Sequence, residues 1–92
     1  MPNPETEEQL RDLYVEVDVA EGQEEEHEFG EILRNLREHV AEFIDNVEED
    51  AEDMRDALVT RLLEAENRLQ ERNPKLVERL RYAINFLSNS GV

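Results

Sequence analysis

The sequence predicts an all-α protein of three or four helices that form a single domain. Apolar residues between Phe29 and Leu69 recur every three or four positions, which is the period of an α-helix. One short alternating segment also fits a strand, but the chain offers no second strand to pair with it. A length of 92 residues suits one small domain. The members of the apolar stripe are Phe29, Leu33, Leu36, Val40, Phe43, Val47, Ala51, Met54, Leu58, Leu62, Ala65 and Leu69.

Residues 1–4 are expected to be extended, and the first helix is expected over about 5–19. Two prolines restrict the first four residues, and Pro4 also suits the first position of a helix. The alternating segment Val15, Val17 and Val19 lies here, and we prefer a helix that ends before Gly22. Its apolar face would be Leu10, Leu13, Tyr14 and Val17.

The stripe supplies two further predicted helices, at about 24–47 and about 50–72. Between Asp45 and Asp53 lie six acidic residues and no basic one, and like charges four residues apart destabilise a helix. A single helix of about 45 residues would span about 70 Å and could bury its stripe only against another chain. These arguments favour a break between the two helices near residues 46–52. The helical spacing of the stripe nevertheless continues through this segment, so one continuous helix is the alternative.

The clearest boundary in the chain is Asn73-Pro74. Proline ends the preceding helix, and asparagine caps a new helix that has proline at its first position. The fourth helix is expected over 74–88, with its apolar residues on one face. We expect the second and third helices to form a long antiparallel hairpin, with the short first and last helices packed on it.

The last third of the chain carries a pattern of its own. An apolar helix has Leu69 in its last turn, Asn73-Pro74-x-Leu76 follows, and Leu80 and Ile84 precede the ending Leu87-Ser-Asn-Ser-Gly91-Val92. Over residues 58–92 this pattern resembles a family of short bacterial proteins that are about as long as this chain and have no assigned function. Members tend to have Glu-x-x-His-Pro-x-Leu at this boundary. Asn73 replaces the histidine here, so no role of that histidine carries over. The resemblance implies a bacterial, all-helical and non-enzymatic protein.

The chain is strongly acidic, with a net charge of −15. Nucleic acids and anionic membranes would be repelled, so basic partners and cations are the ligands that charge favours. Lys75 is the only lysine, and acidic excess with so little lysine also resembles proteins adapted to high salt. Whether the acidity is such an adaptation or a binding surface stays open. The one basic cluster, expected to pair with acidic helices within the fold or across a dimer, is Arg68, Arg72, Arg79 and Arg81.

No segment predicts export, a membrane span or a reactive thiol. The absence of cysteine excludes disulfides, thiolate nucleophiles and zinc–sulfur sites. The first residues lack the basic and apolar parts of a signal peptide, and no run approaches the roughly 18 apolar residues of a membrane helix. We therefore expect a cytoplasmic protein.

Three segments are candidate sites of metal binding or catalysis. Glu24-x-x-His27 has the spacing found in carboxylate-bridged di-iron bundles, but such a site needs a second copy and two further inward-facing glutamates. His39 has acidic neighbours but no serine nucleophile with a plausible third partner. The acidic run 45–53 lacks the spacing and the glycine turn of a calcium-binding loop. We expect no enzymatic activity, no cofactor and no metal.

The sequence favours a protein-interaction or self-assembly module, with a homodimer as its simplest form. One hairpin with two short helices would leave part of the stripe uncovered, and exposed apolar surface promotes association. Two alternatives stay open: an acidic decoy that inhibits a basic, nucleic-acid-binding protein, and a metal-binding helical bundle. The candidate self-association face is Phe29, Leu33, Leu36, Val40, Phe43 and Val47.

Overall fold

The structure, a computed structural model, describes residues 4–45 and 51–89. These residues form four α-helices and contain no strand. The prediction of an all-α protein is confirmed. The helices are α1 (Pro4–Gln23), α2 (His27–Asp45), α3 (Ala51–Leu69) and α4 (Pro74–Asn89).

The four helices pack in a closed ring around one core. α1 contacts α2 and α4, and α3 contacts the same two helices. Across the diagonals, the described parts of α1 and α3, and of α2 and α4, make no close backbone approach. Because α2 and α3 pack on each other, the chain is not one continuous rod. Residues 46–50, where the break was expected, lie outside the described residues.

The first helix is longer than predicted, and the turn after it comes later. α1 continues through Gly22 to Gln23, so this glycine does not end the helix. Arg34 and Arg37 of α2 approach Glu21 at 3.5 and 2.8 Å and fasten the last turn of α1. Hydrogen bonds to Tyr14 and to Glu21 raise the pKa of Arg37. The predicted end before Gly22 is therefore wrong.

The turn between α1 and α2 consists of residues 24–26, which were predicted to begin the second helix. The Glu24 carboxylate accepts the backbone N–H groups of Glu25 and Glu26 at 3.0 and 3.1 Å. A side chain that caps its own following backbone in this way favours a turn over a helix. α2 consequently begins at His27.

The fourth helix begins at the predicted boundary, Asn73-Pro74. The Leu69 carbonyl accepts the N–H groups of Arg72 and Asn73 at 3.0 and 2.8 Å, so α3 ends there and not at the predicted residue 72. The Asn73 side chain then accepts the Leu76 N–H at 3.2 Å. The predicted asparagine cap, with Pro74 as the first residue of α4, is confirmed.

The core draws on all four helices. Phe43 is the largest of its fully buried side chains. Fully burying one leucine, valine or phenylalanine contributes about 1.5–3 kcal/mol, so the shared core is what holds the ring together. Its members are Leu10, Leu13, Val17, Leu33, Leu36, Val40, Phe43, Leu58, Leu62, Ala65, Leu69, Leu76, Val77, Leu80, Ala83 and Leu87.

Candidate interaction surface

The six residues predicted to form a self-association face lie mostly inside the single chain. Phe29 is partly buried, and Val47 is outside the described residues. The other four, which are at most 3% exposed, are Leu33, Leu36, Val40 and Phe43. The prediction assumed that short first and last helices would leave the stripe uncovered. α1 has 20 residues against 19 in α2, and the ring of helices covers the four side chains. In this fold they are unavailable to a second chain.

Exposed apolar side chains are concentrated elsewhere, where α1 meets α4. Val15, Val19 and Tyr82 are 58%, 52% and 52% exposed. Val15 and Val19 lie one turn apart and line a groove together with Leu76 of α4. Tyr82 stacks on the partly buried Phe86, with ring centroids 6.4 Å apart. We call Val15, Val19, Tyr82 and Phe86 the α1–α4 face.

Arg79 connects the two helices of this face. Its guanidinium lies 3.4 Å from the Asp12 carboxylate and 3.2 Å from the Glu16 carboxylate. The same group lies 5.9 Å from the centroid of the Tyr82 ring, within the range of a cation–π contact. One arginine thus balances part of the negative charge of α1 and positions the exposed tyrosine.

The outward side of α2 has the opposite character. Five acidic residues and one asparagine recur there every three or four positions, and all six are exposed. Their span is about 25 Å along the helix axis. We call this set the acidic ridge: Glu28, Glu31, Asn35, Glu38, Glu42 and Asp45.

A third charged feature fastens the turn between α1 and α2 to the connection between α3 and α4. The Arg72 guanidinium donates hydrogen bonds to the two Glu24 carboxylate oxygens, at 3.1 and 2.5 Å, and lies 5.3 Å from the centroid of the Phe29 ring. The hydrogen bond from Arg72 lowers the pKa of Glu24 to about 2, with further help from the Glu26 N–H. A group with so low a pKa is ionised at neutral pH. Glu24 therefore holds Arg72 as an ionised carboxylate and does not act as a proton donor at neutral pH.

The basic cluster behaves largely as predicted. Arg72 pairs with Glu24 of the first turn, Arg79 with α1, and Arg81 with Glu66 of α3 at 3.1 Å. The prediction of pairing within the fold is confirmed for these three. Arg68 has no ion pair among the described residues.

The described residues contain no group of three or more histidine, cysteine or acidic side chains that could hold a metal ion. His27 approaches Glu31 at 3.4 Å, while Glu24 is held by Arg72, so the Glu24-x-x-His27 pair is not assembled as a ligand set. Over the same part of the chain, every helix is too short or too polar to cross a bilayer.

Comparison with known proteins finds no matching family model, no matching curated protein and no matching solved structure. Function is therefore inferred from the arrangement of this chain's own side chains.

Proposed function

We propose that this protein is a non-catalytic self-association module that forms a homodimer through the α1–α4 face. The observation that carries the proposal is the grouping of three half-exposed apolar side chains, Val15, Val19 and Tyr82, on two neighbouring helices. Aromatic residues with a nearby arginine are enriched at the centres of protein interfaces. A cytoplasmic location belongs to the same proposal.

The proposed architecture is an antiparallel hairpin of α2 and α3 with α1 and α4 packed on it. Ile32, early in α2, lines one groove with Arg68, late in α3. Phe43, late in α2, lines another groove with Met54, early in α3. This order of neighbours supports opposite directions for the two helices. It leaves α1 and α4 to form the side of the bundle that carries the α1–α4 face.

The distribution of charge supports association through this side. Asp12 and Glu16 share Arg79, and Lys75 lines the groove that contains Val15 and Val19. Contact through the acidic ridge would instead bring its carboxylates against those of the second copy, and like charges at an interface cost several kcal/mol. A dimer through α1 and α4 can keep the two ridges apart.

Salt should strengthen this dimer. Each copy carries a net charge of −15, so two copies repel at long range. The distance over which this repulsion acts falls from about 10 Å at 0.1 M salt to about 3 Å at 1 M. Apolar contact between the two faces is not weakened by the same screening, and we expect tighter association at high salt.

Sedimentation equilibrium with two matched variants tests the proposal. Tyr82→Glu places a carboxylate on the α1–α4 face and should weaken the dimer by at least about tenfold. Leu63→Glu makes the same change in charge at a side chain of similar exposure, 49%, on α3, and should leave the dimer intact. A wild-type protein that stays monomeric at every salt concentration, or two variants that behave alike, would contradict the proposal.

A second candidate function uses the acidic ridge to occupy the basic surface of another protein. The observation that favours it is the line of exposed carboxylates along α2. Salt distinguishes the two functions, because binding of a basic partner weakens with added salt while the self-association proposed here strengthens. The resemblance of residues 58–92 to short bacterial helical proteins stays a prediction alongside both.

A further inference from the structure

Three basic side chains are unusual in this acidic chain because they have no ion pair among the described residues. Within residues 4–45 and 51–89, seven of the ten basic side chains lie within 4.0 Å of a carboxylate. The seven are Arg11, Arg34, Arg37, Arg55, Arg72, Arg79 and Arg81. Arg61, Arg68 and Lys75 are the remaining three. Arg61 and Arg68 lie on the same groove.

This groove runs between α2 and α3 and has a volume of about 140 Å³. Its apolar part consists of Ile32, Leu36 and Ala65, and its polar part is completed by Asn35, His39 and Glu64. Arg61 and Arg68 are seven residues apart, which places them two turns or about 10.5 Å apart along α3. Both side chains line the groove.

His39 adds a further polar group. Its Nδ1 lies 2.6 Å from the Asn35 carbonyl oxygen, and a carbonyl can only accept, so Nδ1 carries a proton. Nε2 is then the ring nitrogen left for a ligand.

We propose that the groove between α2 and α3 binds a small organic acid, with its carboxylate between Arg61 and Arg68 and its apolar part on the partly buried Ile32. Arginine guanidinium groups suit carboxylates because their paired N–H donors match the two oxygens. The groove provides two such groups beside apolar side chains, which is the combination that a short-chain carboxylate needs.

The charge of the surroundings selects a singly charged ligand. The chain as a whole carries −15, and Glu64 lines the groove itself. Each additional negative charge on the ligand increases this repulsion. A monocarboxylate is therefore favoured over a phosphate monoester dianion, although both are groups that arginine recognises.

Titration of the isotope-labelled protein with hexanoate, followed by backbone amide NMR at fixed ionic strength, tests the inference. Hexanoate should shift amides around the groove in a saturable way. Arg61→Gln and Arg68→Gln should each weaken this binding about tenfold, the usual effect of losing a hydrogen bond to a charged group. Lys75→Gln is the matched control. It makes the same change in net charge at a cation that also has no ion pair among the described residues, but that lines the groove of Val15, Val19 and Leu76 instead. It should leave hexanoate binding unchanged.

Two further probes separate the charged and apolar contributions. Neutral 1-hexanol and inorganic phosphate should each bind more weakly than hexanoate. Equal binding of hexanol would overturn the role of the arginines, and tighter binding of phosphate would overturn the preference for a single charge. The whole inference fails if hexanoate produces no saturable shift, or if Lys75→Gln weakens binding as much as the arginine variants. Circular dichroism of each variant checks that its helices are intact.

Discussion

The two helices that open the chain, α1 and α2, differ in the face that each turns to solvent. Both bury an apolar stripe: Leu10, Leu13 and Val17 in α1, and Leu33, Leu36, Val40 and Phe43 in α2. On the outward side, α1 presents Val15 and Val19, whereas α2 presents the acidic ridge. The inward faces build the same core, but the outward faces suit different partners.

This difference shows that the inward face of a helix indicates how the chain folds, whereas the outward face indicates which partners it can bind. In a strongly amphipathic helix such as α2, the spacing of the apolar residues identifies the buried face. The opposite face needs only to be polar. α1 is less amphipathic because it is apolar on two sides. Apolar side chains that the fold leaves exposed are the ones available to a second chain.

The largest effect is expected on the inward face of α2. The double variant Leu36→Glu with Phe43→Glu would place two carboxylates at positions that are 3% and 2% exposed. Burying an unpaired charge costs several kcal/mol, and a domain of this size has about 5–15 kcal/mol of stability in total. We expect this variant to be unfolded, as measured by loss of the helical circular dichroism signal.

The matched control lies on the outward side of the same helix. Asn35→Glu adds one carboxylate to the acidic ridge, and an exposed substitution of this kind changes stability by only about 0.5 kcal/mol. A double variant that stays helical, with stability close to that of the control, would show that the inward stripe of α2 is not the core.

A smaller effect is expected at the turn that joins the two helices. Glu24 has a pKa of about 2 in the fold, below its ordinary value of 4.5, so its contact with Arg72 stabilises the folded state above about pH 4.5. This stabilisation is lost as the pH falls from 4.5 towards 2. Arg72→Gln should raise the pKa of Glu24, and it should destabilise the protein more at pH 7 than at pH 2.

NMR titration of the Glu24 carboxyl and urea unfolding at both pH values measure this effect. Arg68→Gln removes a neighbouring arginine that has no ion pair among the described residues, with the same change in charge. It should leave the Glu24 pKa near 2. A Glu24 pKa that is equally raised in both variants would attribute the shift to general charge and not to the hydrogen bond.

Much of the fold could be predicted from sequence because helical periodicity and caps are local. The stripe, the inward residues of α4 and the Asn73 cap all follow from spacing within one helix. The end of α1 could not be predicted in this way. Its last turn is held by Arg34 and Arg37, which come from a different helix.

The candidate surface was harder to predict than the core. The predicted face consisted of the apolar residues with the most regular helical spacing. When a chain has enough helices to cover such residues, this regular spacing indicates burial within the chain. The alternation of Val15, Val17 and Val19 contained the better signal. In a helix, this spacing puts Val17 on the inward side and leaves the other two on the outside. Tyr82 could not be assigned to the same surface without knowing that α4 packs against α1.

A dilution series followed by backbone amide NMR at moderate and high salt tests self-association through α1 and α4 most directly. We expect amide shifts to change with protein concentration at Val15, Val19 and Tyr82, and we expect these changes to grow with salt. The amides of the acidic ridge should stay constant. Concentration-dependent shifts confined to the ridge, or none at any protein concentration or salt, would contradict self-association through α1 and α4.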